Sequence, residues 1–181
     1  MLSINTNKII YKHKMIDYLV GISYGDFDDK ITASSEYNKD YSVKGCKLNK
    51  TMTNGHASSW SAAGSDKENP WIQVDLGSEY LINAVSLQGR GDAAQWVTRF
   101  RIRYSLTNEN DLRNLDEFEG NKDNTSVVKR YFREPIKARI IRLYVLGFHE
   151  HPSLRWELHY IIDKKCEKNN NNNSAPTPSG Q

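Results

Sequence analysis

Only two cysteines, Cys46 and Cys166, occur in the 181 residues. They are far apart and in unlike surroundings, so they form neither a zinc-type ligand spacing nor a disulfide framework, and they are not expected to pair. No apolar run approaches the length that spans a bilayer, so no transmembrane segment is expected, and residues 1–7 lack the basic and apolar segments of a secretory signal. The expectation is a reduced chain, cytoplasmic as synthesised, that reaches the cell surface or the extracellular space only by a route without a signal peptide. Net charge is small as well: 25 basic and 22 acidic residues leave +3. That is too little for a nucleic-acid groove, so no nucleic-acid partner is expected and any basic preference is local. Long helical periods are also missing, which argues against a βαβ fold.

What is present is a series of short strand patterns. Trp71-Ile72-Gln73-Val74-Asp75-Leu76 alternates with period two and stops at Gly77-Ser78. Residues 81–88 follow and stop at Gly89, so the two runs read as a hairpin-like pair. Phe100-Arg101-Ile102-Arg103-Tyr104-Ser105 alternates almost strictly, and β-branched and aromatic runs recur at 127–132, 138–145 and 154–160. Such spacing predicts an all-β sandwich or barrel of one domain. Residues 1–14 form either a leading strand or a loose arm. Residues 166–181, with five successive asparagines, have the composition of a disordered tail.

Several motifs occur in a recognisable order: Trp60-Ser61-Ala62, Trp71-Ile72-Gln73-Val74-Asp75-Leu76-Gly77, Leu87-Gln88-Gly89-Arg90-Gly91-Asp92, Gln95-Trp96-Val97-Thr98 and His151-Pro152-Ser153-Leu154-Arg155-Trp156-Glu157-Leu158. With them, residues 15–165 resemble the discoidin, or coagulation factor V/VIII type C, family. That resemblance implies an eight-stranded antiparallel jelly-roll β-sandwich of the galactose-binding-like kind. The stretch 87–106 is similar to that of the amoebal discoidin lectins. Those lectins carry a further C-terminal lectin domain with its own sugar specificity, which the resemblance does not extend to this chain. Most family members also tie their first and last strands through cysteines near positions 15 or 16 and 161, which here are apolar.

The resemblance places ligand recognition on three loops at one end, about 36–45, 48–59 and 89–95. It makes Tyr37, Tyr41, Lys44, Lys47, His56, Arg90 and Asp92 the candidate ligand-binding residues. Tyrosines suit stacking on a sugar face and edge-on hydrogen bonding. The implied function is a non-enzymatic module that binds a glycan or cell-surface glycoprotein, in cell adhesion. Its alternatives are an anionic phospholipid surface, met by Met52 and nearby lysines, or a protein partner. Arg90-Gly91-Asp92 is read first as a turn in which the glycines supply backbone freedom and the charged side chains pair locally, with direct ligand contact as the competing reading.

Trp60, Trp71, Trp96 and Trp156 are expected in the core, and Asp75 with Arg155 as a semi-buried ion pair holding the sandwich. His149 and His151 could share one strand face, but no third ligand accompanies them, so no metal is expected there. Relatives that hold a structural calcium would place it on Asn54, Ser58 and Glu157. His56 stands where a second acidic ligand is usual, and no cofactor is expected. No nucleophile, base or pair of carboxylates stands at a spacing this fold would bring together, so the chain is not expected to be an enzyme. Oligomeric state is not legible.

Overall fold

The computed structural model describes residues 16–52, 57–66 and 68–162. The expected N-terminal arm and asparagine-rich tail, together with Asn54, His56 and Cys166, lie outside these residues. Eight strands carry the fold: β1 (Tyr18–Leu19), β2 (Ile31–Ala33), β3 (Trp60–Ser61), β4 (Trp71–Gln88), β5 (Trp96–Ser105), β6 (Arg113–Glu119), β7 (Val128–His149) and β8 (Ser153–Tyr160). They join in the order β1-β8-β4-β7-β5-β6, with β2 added to β4 and β3 to β8, and every pairing is antiparallel. This is the eight-stranded antiparallel jelly roll that the resemblance implied.

The expected hairpin at Gly77 does not form. A hairpin would pair 71–76 with 81–88, whereas both runs belong to the single strand β4 and both pair with β7, Ile72 opposite Leu143 and Val85 opposite Arg130. Gly77 takes φ +73° within a register shift, and its N–H donates to Asp75 Oδ1 at 2.8 Å. A bulge of this kind bends a long strand without ending it. The runs at 127–132 and 138–145 are likewise halves of one strand, β7.

Inward residues of the long strands meet in one core, with Trp60, Trp156, Phe100, Ile72, Ile141 and Leu143 fully buried. Each side chain of this size contributes about 1.5–3 kcal/mol through the apolar area it removes from water. The core expectation fails for Trp71 and Trp96, which are only half-buried. Trp71 faces outward beneath the Arg142 guanidinium at 4.0 Å, and Trp96 stacks on the His149 imidazole at 4.0 Å. Their strand register sends them to the surface, where a cation and an imidazole cover what core packing would have covered. Of the two positions where relatives carry bridging cysteines, Ile161 is buried and Ile16 is exposed.

Asp75 and Arg155 do not pair. Asp75 binds Arg139 at two points, 2.8 Å each, on the partly exposed face of β4 and β7. Arg155 lies opposite Gln88, at the far end of β4 from Asp75. The length of β4 separates the two charges. Cys46 is a buried free thiol, and desolvation pushes its pKa up to about 12, so it is unreactive at neutral pH.

His159 is buried beside Ser86, its Nε2 2.7 Å from the hydroxyl. Desolvation, with a lesser push from Lys129, lowers its pKa from 6.5 to about 4. Between those values the unfolded chain takes up a proton that the folded chain refuses. The stabilisation is therefore complete above pH 6.5 and lost as pH falls through 4, on the order of 3 kcal/mol in all. Urea unfolding at pH 7.5 and 4.5 should show a smaller acid loss for His159→Gln than for the parent; equal losses would refute the assignment.

A polar site at the loop end

The three loops converge on Arg90. Its Nη2 donates to Asp92 Oδ2 at 2.8 Å and to the Tyr41 hydroxyl at 3.0 Å, while Nη1 donates to Gln95 Oε1 at 3.2 Å. The guanidinium also lies 4.6 Å from the Tyr41 ring centroid, a cation–π contact that joins the 36–45 loop to the 89–95 loop. Asp92 accepts a further bond from Ser58 Oγ at 2.8 Å, which brings in the 48–59 loop. Ala57 N–H, donating to Asp40 carbonyl at 2.9 Å, ties that loop to the first. Arg90 holds the Asp92 carboxyl below the usual carboxylate range, and Asp92 in turn raises the Arg90 pKa. Both side chains therefore remain charged at any physiological pH.

An aromatic edge borders this cluster. Tyr37, 57% exposed, packs edge-on against Tyr41 at 5.4 Å and against His151 at 5.7 Å. Ser153 Oγ donates to Gln95 Oε1 at 3.0 Å and lies 3.4 Å from His151 Nδ1. The surface thus offers an exposed phenol beside a fixed arginine, a carboxylate and an amide.

Beneath it, Arg155 is the organising residue. Only 4% exposed, it donates to the carbonyls of Gly89 at 2.7 Å, Lys50 at 2.9 Å and Asn124 at 3.2 Å. Burial lowers its pKa, and the Asp92 charge opposes that shift. The glycines of the Arg90 loop serve a purpose other than the expected backbone freedom, since neither has positive φ. A Cβ on Gly89 would stand 2.7 Å from the Asn124 Cα, and one on Gly91 3.3 Å from the Arg155 guanidinium. Close approach excludes a larger residue at Gly89, whereas at Gly91 the Arg155 guanidinium would have to give by a few tenths of an ångström.

Of the candidate ligand-binding residues, the structure brings Tyr37, Tyr41, Arg90 and Asp92 together. The local pairing expected for Arg90 and Asp92 is present, and that pair stands within the cluster. Lys47 is engaged elsewhere, in an ion pair with Asp28 at 2.8 Å. Lys44 is exposed on the first loop, and His56 lies outside the described residues. Gln95, His151, Ser153 and the floor role of Arg155 escaped the sequence reading, although the Gln95-Trp96 and His151-Pro152-Ser153 motifs marked their segments.

The calcium set is not assembled from Ser58 and Glu157. Ser58 is bound to Asp92, and the buried Glu157 carboxylate accepts from the N–H groups of Gly21, Ile22, Ser23 and Leu158 at 2.8–3.3 Å. No group of three or more His, Cys, Asp or Glu able to hold a metal occurs among the described residues. His149 and His151 diverge to Trp96 and Tyr37.

A jelly roll that presents such a cluster on its loops is a binding module of the discoidin type. The F5/8 type C domain profile matches residues 30–158, and the chain belongs to that family. It is 38% identical to discoidin-2 of Dictyostelium discoideum over 146 residues, 77% of this chain and 56% of that protein. The structure of wild-type discoidin II from Dictyostelium discoideum superposes with a TM-score of 0.72 at 32% identity, over 84% of this chain and 60% of that one. A Clostridium perfringens module solved in complex with GalNAc-β-1,3-galactose is 25% identical, with a TM-score of 0.55, over 71% of this chain and 93% of that one. The chain spans about half the length of discoidin-2 and a tenth of a snake coagulation factor V that it also matches. It is a non-enzymatic binding module.

Proposed function

We propose that the loop end binds glycans carried on cell surfaces and that the module serves adhesion. The carrying observation is the Arg90 cluster: a charged donor, a charged acceptor and the Gln95 amide are fixed beside the exposed Tyr37 ring. Sugars need both elements, an aromatic edge for their C–H face and prepaid polar geometry for their hydroxyls. The disaccharide held by the 25% identical bacterial module supports the same ligand class.

A second reading, an anionic lipid surface, rests on Met52, which is 58% exposed on the second loop, with the exposed Lys44 on the first. A glycan array and vesicles containing phosphatidylserine separate the two. Arg90→Ala should lower glycan affinity about tenfold, roughly 1.4 kcal/mol, and also lower the urea midpoint, because it removes the partner shared by Asp92, Gln95 and Tyr41. Binding to vesicles but to no glycan, or glycan binding indifferent to Arg90→Ala, would overturn the proposal.

A further inference from the structure

Hydrogen atoms are scarce around Gln95, and their number fixes the sense of each bond. Gln95 Oε1 accepts from Arg90 Nη1 at 3.2 Å and from Ser153 Oγ at 3.0 Å. Turning the amide round would set its NH2 against the guanidinium, donor against donor, so Arg90 fixes the oxygen on this side. The single Ser153 hydroxyl hydrogen goes to Gln95, the nearer acceptor, since His151 Nδ1 is 3.4 Å away. Ser153 Oγ therefore accepts from Ser61 Oγ at 2.8 Å, and Ser61 in turn accepts from Ser59 Oγ at 3.4 Å. This relay stands on strands: Ser61 lies opposite Ser153 in the β3–β8 pair, and Ser59, Ser61 and Ser153 are all buried. Hydroxyls held on strands and shut off from water keep one arrangement. The Asp92 oxygens are already taken by Arg90 and Ser58. Gln95 Nε2 is not taken: no described residue bonds it, and although Gln95 is half-buried, this atom is not among those sealed from solvent.

We infer that Gln95 sets ligand specificity at the loop end, with Ser61 and Ser153 as positioning residues: the relay holds Oε1, and Nε2 donates to a sugar oxygen that acts as acceptor. The assignment rests on the loop end binding saccharides and adds the hydrogen-bonding sense that is read there. An amide nitrogen donates and accepts nothing. Held in one sense it discriminates, because a ligand atom that cannot accept leaves the donor unmet. Arg90, which holds the same amide oxygen, supports binding through Gln95 as well as through the loops it joins.

Galactose, glucose and N-acetylgalactosamine are titrated calorimetrically into the full chain, and the tightest of them is followed by its monodeoxy and monodeoxyfluoro analogues. Fluorine accepts a hydrogen bond but donates none. At one ring position the deoxy sugar should bind about tenfold more weakly than the parent sugar, and the deoxyfluoro sugar within about threefold of it. Gln95→Glu puts an acceptor where Nε2 stood, and the deoxyfluoro sugar should then become as weak as the deoxy one. Ser153→Ala frees one side of the amide and should narrow the gap between the two analogues to about threefold. Ser153→Cys, a weaker donor of similar size, serves if the alanine variant does not fold. Deoxy and deoxyfluoro sugars weakened alike at every position in the parent chain would overturn the donor role of Gln95 and leave the loop-end site standing. A deoxyfluoro preference that survives Gln95→Glu would place the donor elsewhere and overturn it as well. An unchanged gap in the Ser153 variant would overturn the relay. No binding of any of the three sugars would overturn both readings.

Discussion

Arg155→Met is expected to lower stability by about 3 kcal/mol and to abolish ligand binding, whereas Asp75→Asn costs less than about 1 kcal/mol and leaves binding intact. Arg155 is buried and is the donor shared by the Gly89, Lys50 and Asn124 carbonyls. Methionine keeps the apolar stem but leaves those carbonyls without their donor, each at a cost of about 1–3 kcal/mol, partly offset because a desolvated cation is also removed. The segments that carry Lys50, Gly89 and Asn124 then lose their common anchor, and the Arg90 cluster above them loses its geometry. Asp75 forms a partly exposed pair with Arg139, where water replaces what is lost. Urea unfolding and glycan titration of both variants check the contrast. Equal destabilisation by the two, or Arg155→Met with full binding, would contradict it.

Glu157→Ala is expected to cost about 3–5 kcal/mol, the range for removing one partner of a buried charged interaction. Its carboxylate is fully buried and accepts the N–H groups of Gly21, Ile22 and Ser23, which start the turn after β1, and that of Leu158. Charge-assisted bonds to backbone N–H groups are the strong kind, and alanine would leave all four donors dry. Glu157→Gln should be intermediate, because its amide keeps one acceptor oxygen but turns a second donor towards donors. Thermal or urea melts of the pair check this. A glutamine variant as stable as the parent would show that the negative charge is not what the turn requires.

The strands were legible because apolar alternation survives wherever one strand face is buried. Phe100 to Ser105 shows it, and those residues lie within β5. The same signal misled at Gly77, since a glycine with positive φ reads alike in a hairpin turn and in a bulge. The resemblance misled at Trp71 and Trp96, which it placed in the core and which the strand register leaves half-buried. The site was half legible. Tyr37, Tyr41, Arg90 and Asp92 stood on loops marked by ordered motifs, but Gln95 meets Ser153 across 58 residues of chain, and no local pattern encodes that contact.

By itself, then, the sequence determined that this chain is an all-β domain whose ordered motifs resemble a family of binding modules, because alternation, turn residues and ordered motifs are local properties that need no partner to be read; the end proposed to meet a ligand came from that resemblance. The tertiary structure alone decided how the charges are matched: Asp75 with Arg139, Arg155 with three carbonyls, Glu157 with four N–H groups, Lys47 with Asp28. A formal charge attracts any opposite charge or dipole, and only the strand register and the crossing of loops fix which one comes within hydrogen-bond distance.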